Sequence, residues 1–203
     1  MQNMTCSSCG APLQIENQFV RSVTCQFCGA AYVISGDATL DPTGKTTSLA
    51  NYPSRVSVGT RGTIRGRGFT ILGRIRYTYD EGYWDEWQIA WDDDAPPDWL
   101  EEDEGYWTVY KKERVRAEVL SYDGIRVGQT VKINNRNVFI TEKRQARVLG
   151  SEGQFAAVMP LQGDFGYVQG AADEQTVSIT YWEDEIEISS GDDLEHHEMK
   201  LDR

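Results

Sequence analysis

The sequence predicts an all-β protein: a small N-terminal zinc ribbon held by four cysteines, then a β-sandwich or barrel-like body of two related β-units. Three observations carry this reading. All four cysteines fall within the first 28 residues, as two CxxC pairs. The rest of the chain alternates apolar and polar residues in short runs that glycine interrupts. Residues 56–71 have an internal echo in 125–140.

The ribbon spans residues 1–34. Cys6-Ser7-Ser8-Cys9-Gly10 and Cys25-Gln26-Phe27-Cys28-Gly29 are matching knuckles, with fifteen residues between Cys9 and Cys25. A CxxC turn sets two thiolates on one side of the chain, and the following glycine lets the backbone turn tightly. Two such turns close a four-thiolate shell suited to Zn²⁺, with Cys6, Cys9, Cys25 and Cys28 as ligands. A rubredoxin-like iron site uses the same ligand set. Four protein ligands leave no open coordination position, so the metal is expected to be structural. About 34 residues build too small a core to stand alone, so metal loss should unfold the ribbon. Its only basic residue is Arg21, against one acid, Glu16. That is no phosphate-binding surface, and a protein contact or a cap is the better expectation.

Residues 35–52 (SGDATLDPTGKTTSLANY) are rich in turn formers and poor in groups to bury, which predicts a flexible linker. Residues 53–203 form the body. Val56-Ser57-Val58, Phe69-Thr70-Ile71, Val131-Lys132-Ile133 and Val177-Ser178-Ile179-Thr180-Tyr181 alternate as half-buried strands do. No long segment has a 3.6-residue apolar period; Lys111 to Leu120 reads equally as a short helix or a continued strand. Shifted by 69 residues, Gly59 meets Gly128, Ile64 meets Ile133, Arg67 meets Arg136 and Ile71 meets Ile140. This predicts two units, 54–120 and 121–191. Chance likeness between glycine-flanked hairpins is the plainer explanation it must beat.

Thirty-two acidic residues against 20 basic ones give a net charge of −12. Such a chain repels nucleic acid and anionic lipid unless its cations are segregated. They partly are. Residues 54–79 hold six arginines and no acid, whereas 80–104 hold twelve acids and no Lys or Arg. Neighbouring strands that pair arginines with carboxylates explain this more simply than a nucleic-acid surface. The acidic block carries Trp84, Asp85, Glu86, Trp87, Trp91 and Trp99. On a strand Trp84 and Trp87 face opposite ways. One face is then core and the other a partly exposed edge. The functional alternative is a recognition surface of Trp84, Asp85, Glu86, Trp87 and Trp99, since tryptophans ringed by carboxylates suit a cationic partner. Asp92-Asp93-Asp94 reads as a solvated turn, and His196-His197 as part of a frayed tail. No GxSxG, P-loop, HExxH or helix-opening GxGxxG is present, so no enzyme is expected.

Several stretches carry a family resemblance: the CxxCG pair at the head, Gly68-Phe69-x-Ile71-x-Gly73-Arg74, Trp84-Asp85-Glu86-Trp87, Trp99-Leu100 after an acidic turn, and Gly163-Asp164-Phe165-Gly166. On these the chain resembles a bacterial family catalogued as domain of unknown function 4178. Where such families usually show Gly-Glu-Leu-Pro, this chain has Gly163-Asp164-Phe165-Gly166. The resemblance implies a non-enzymatic β-rich protein. Members' genes lie beside those for membrane-associated proteins and polyamine-synthase-like enzymes, which implies an accessory role in an envelope-linked or polyamine-linked system. The expected function is therefore a zinc-binding adaptor with a protein partner, in a membrane-associated complex. The alternative is a binder of small cations such as polyamines through the acidic Trp-rich segment. Nucleic-acid binding ranks last. No apolar run approaches the ~20 residues of a membrane helix. Paired cysteines and the absence of a basic-then-apolar leader point to the reducing cytoplasm.

Overall fold

A computed structural model describes residues 2–36, 39–50, 54–80, 82–116, 118–159 and 162–202. In the N-terminal part, β1 (Gln2–Thr5) pairs with β2 (Pro12–Ile15), and β3 (Ser22–Thr24) pairs with β4 (Ala30–Ile34). β5 (Leu40–Thr46) adds to β4. The body begins with the hairpin β6 (Arg61–Ile64) and β7 (Arg67–Tyr79), followed by β8 (Gly82–Trp91), β9 (Asp98–Asp103) and β10 (Tyr106–Glu113). A single turn of 3-10 helix (Tyr122–Gly124) precedes β11 (Thr130–Ile133), β12 (Arg136–Phe155), β13 (Asp164–Ala172), β14 (Gln175–Tyr181) and β15 (Ile186–Asp193). β16 (Met199–Leu201) returns to pair with β6.

The body is a closed antiparallel barrel of eight strands, in the order β7-β8-β9-β10-β15-β14-β13-β12, with β12 pairing back onto β7. Of the two architectures the sequence allows, the barrel is the one formed. Closure leaves no unpaired edge among these eight strands. The 69-residue echo is structural. It carries β6 onto β11 and the start of β7 onto the start of β12. The Gly59 amide donates to the Ile71 carbonyl, as that of Gly128 does to Ile140, and the Ile71 and Ile140 amides donate to Thr60 and Gln129. Each unit adds a four-strand meander to the barrel. The two meanders meet at β10–β15 and at β7–β12, related by a pseudo-dyad.

Because side chains alternate across a strand, the barrel has two kinds of core. Ile75, Tyr77, Trp84, Trp99, Tyr110, Phe165 and Tyr167 point into the interior. On the opposite face, Phe69, Ile71, Trp87, Ile89, Trp91 and Leu100 are covered by the β6 hairpin and β16. The second unit repeats this with Val138, Ile140, Val168, Val177 and Ile179 beneath Ile125, Val131 and Ile133.

The segment 35–52, expected as a flexible linker, contains β5. It is tied on both sides: the Thr47 amide donates to the Gly29 carbonyl (2.9 Å), and the Ser151 amide donates to Thr47 Oγ1 (2.8 Å). Residues 37, 38, 51 and 52 of that segment, and 53 of the body, lie outside the described residues. Of the ambiguous stretch Lys111 to Leu120, β10 takes only the first three residues, to Glu113; residues 114–116 and 118–120 are neither helix nor strand. β3 pairs with the far end of β12, so the ribbon is hydrogen-bonded to the body.

Candidate metal centre and barrel cavity

The two cysteine knuckles fold identically. In each, the glycine amide donates back to the first cysteine's carbonyl (Gly10 to Cys6, Gly29 to Cys25), at 2.8 Å in both. The first cysteine's amide donates forward, Cys6 to Ala11 and Cys25 to Ala30, again at 2.8 Å. Gly10 and Gly29 sit at φ +77° and +72°, where a side chain is strained. The knuckles bring Cys6, Cys9, Cys25 and Cys28 together, every Sγ within 4.8 Å of the others. Cys6 Sγ lies 3.7 Å from Cys28 Sγ, and Cys9 Sγ 3.8 Å from Cys25 Sγ. A tetrahedron with metal–sulfur bonds of about 2.3 Å spaces its sulfurs about 3.8 Å apart. The donor set therefore fits a four-coordinate thiolate-bound metal.

One buried side chain reaches this cluster from β4. The Tyr32 hydroxyl is 3.1 Å from Cys6 Sγ and accepts from the Ser8 amide at 3.1 Å. Burial raises the Cys6 pKa, but bonds from Tyr32 and from the Cys9 and Ser8 amides outweigh it and bring the thiol to about 6. Such a bond orients a ligand and supports its ionised form. Apolar contacts of Leu13, Ile15, Val20 and Val23 complete the ribbon core, with Leu72 of the barrel among them.

The second site is the barrel interior, which holds a cavity of about 60 Å³. Tyr77, Tyr79, Trp84, Trp99, Tyr110, Phe165, Tyr167 and Trp182 form its aromatic walls, and Glu86, Glu101, Asp103, Glu142 and Glu187 face it with one cation among the described residues, Lys112. Glu86 on β8 and Glu101 on β9 are direct cross-strand neighbours. Burial pushes Glu86 up to about 7, opposed by Lys112 and by the Trp84 indole, whose N–H donates to Glu86 at 3.4 Å. Burial, then the charges of Glu86 and Asp103, hold Glu101 well above the usual carboxylate range. Two acids have cations: Lys112 pairs with Glu187, and Arg144 Nε is 2.6 Å from Glu142.

The sequence placed a recognition surface at Trp84, Asp85, Glu86, Trp87 and Trp99. The structure divides these five between two interiors, and Trp84, Asp85, Trp87 and Trp99 are all buried. Trp84, Glu86 and Trp99 face the cavity. Trp87 points the other way and donates to Glu102 at 3.2 Å. Asp85, also on that face, takes Arg76 at 2.7 Å and Arg74 at 3.7 Å. The expected docking surface is thus a correction: curling the sheet into a barrel turns a would-be exposed face inward. The arginine block pairs with carboxylates, as its neighbourhood suggested, through Arg65–Glu198, Arg67–Asp93 and Arg76–Asp85. The sequence reading missed Tyr77, Tyr110 and Tyr167 as cavity walls and Glu101 and Lys112 as its charges. Period-two alternation from Trp99 does select Glu101 and Asp103, but nothing local places β13 opposite.

Among the described residues no helix is long and apolar enough to cross a membrane. A family model described as a domain of unknown function, DUF4178, matches residues 57–196, a span that contains all eight barrel strands and excludes the ribbon. No curated protein and no solved structure matches the chain.

Proposed function

The chain belongs to the DUF4178 family, and from that premise we propose that it is a non-catalytic binding protein whose barrel receives a small organic cation and whose ribbon is a structural zinc staple. The observation that carries this reading is the cavity's composition. Among the described residues, five carboxylates and eight aromatic residues line one partly open cavity with a single lysine. Aromatic faces and carboxylates both attract cations, and low dielectric strengthens the attraction. Zinc is the expected ion because four thiolates at tetrahedral spacing suit it and leave no site for substrate.

A thermal-shift panel tests the barrel reading. Organic ammonium ions should raise the melting temperature saturably, while size-matched neutral alcohols and carboxylates should not. Equal or absent responses across the panel count against it. An adaptor role for the ribbon is the second reading. Phe27 at the tip of the second knuckle is 63% exposed and Val58 41%, both lining a groove between ribbon and barrel. Exposed aromatics beside a groove suit a protein contact.

A further inference from the structure

Resting on the reading of the barrel as a cation receptor, we infer that the ligand is a slender ammonium bearing N–H donors, a primary amine on an unbranched chain, held by Glu86, Glu101 and the Tyr77 hydroxyl. The cavity already binds one group of this kind. The Lys112 ammonium pairs with Glu187 and lies 5.7 Å from the centre of the Trp99 ring. Carboxylate and aromatic face together are how this interior treats a primary ammonium.

Glu86 and Glu101 have no such partner. Neither makes an ion pair among the described residues, and they stand side by side on adjacent strands. Tyr77 is only 3% exposed, faces the same space, and its hydroxyl has no hydrogen-bond partner among the described residues. Two carboxylates without an ion pair and a hydroxyl without a hydrogen bond, all lining this cavity, leave acceptor positions open to a donor that enters it. One ammonium supplies three donors and one positive charge, and these three groups are what it would satisfy.

A quaternary ammonium answers the aromatic walls but not the acceptors, because it has no N–H. It is also too broad. About 60 Å³ is space for roughly four waters, which suits an ammonium head and a narrow methylene chain lying along Trp84 and Phe165.

The test is calorimetry on the full-length, zinc-loaded protein at moderate salt and pH 8, with n-butylammonium and tetramethylammonium as probes. The expected result is saturable one-to-one binding of n-butylammonium, about tenfold or more tighter than tetramethylammonium, a gap of about 1.4 kcal/mol. Glu101→Gln and Tyr77→Phe should each weaken n-butylammonium at least fivefold while remaining folded by circular dichroism. Glu101→Gln keeps the size and shape of the side chain and breaks no ion pair among the described residues, so it should not unfold the barrel. Equal binding of both probes, or unchanged affinity in both variants, overturns the primary-amine assignment while leaving the cation reading standing. Binding of neither probe overturns both.

Discussion

Glu86 shows what a single side chain in the barrel costs and offers. Its folded pKa of about 7 lies above the 4.5 of an ordinary glutamate. Between those values the folded protein holds a proton that the unfolded chain has released. Stability therefore falls as pH rises through that window, and the penalty is complete above pH 7. Glu86→Gln should raise unfolding free energy at pH 8 by on the order of 1–3 kcal/mol, and by little near pH 4. Urea denaturation of both proteins across that range checks it; a constant difference at every pH would assign the effect to packing. The charge that destabilises the empty barrel is the one an ammonium would neutralise. Glu86 was legible as a candidate because it sits among tryptophans. Its orientation was not, because a strand's inward face is defined only once the barrel closes.

At the scale of elements, the decisive feature is β12. It is 20 residues long and pairs in turn with β11, β13, β7 and β3. Gly153 is the crossing point, paired with both Gly73 of β7 and Thr24 of β3. Its φ is +85°, and a Cβ there would meet the Leu72 carbonyl oxygen at 2.3 Å. Gly153→Ala should therefore cost about 2–4 kcal/mol, read as a lower urea midpoint. An alanine at exposed Gly105, also at positive φ but with open space around it, should cost less. The knuckles and strands were readable from spacing and alternation, because those signals are local. β5 was not, because Leu40–Thr46 has linker composition and becomes a strand only where the β4 edge accepts it. β12 was not readable as one strand, because glycines at 150 and 153 read as turns; here they are close backbone approaches.

For the whole molecule, the relation between ribbon and barrel sets what metal loss does. The barrel closes without any ribbon strand, whereas the ribbon has only a small apolar core of its own. Removing the metal should release the ribbon and leave the barrel. All six tryptophans lie between residues 84 and 182, so their emission reports the barrel alone. In a Cys6→Ser/Cys9→Ser variant, tryptophan emission should be unchanged, metal content should fall from one ion per chain to none, and residues 1–46 should become protease-sensitive. An emission spectrum shifted to that of the unfolded chain would mean that ribbon and barrel fold as one unit. The repeat was visible at the level of residues. The closure was not, because its two seams join strands about 70 to 85 positions apart in sequence, and no local pattern encodes that.

The pseudo-dyad has a consequence for how such a cavity arises. A barrel of two equivalent meanders is what a homodimer of half-length chains would build, and a tandem duplication of the gene makes it one polypeptide. In the dimer any change to one wall of the cavity is made to both. In the fused chain the halves diverge separately. Glu86 and Glu101 face each other across β8 and β9, where the corresponding pair on β13 and β14 is Tyr167 and Thr180. The two halves thus differ at equivalent positions, a carboxylate pair in one and a neutral pair in the other, an asymmetry that a barrel of two identical chains could not present, although Glu142 and Glu187 of the second half also face the cavity.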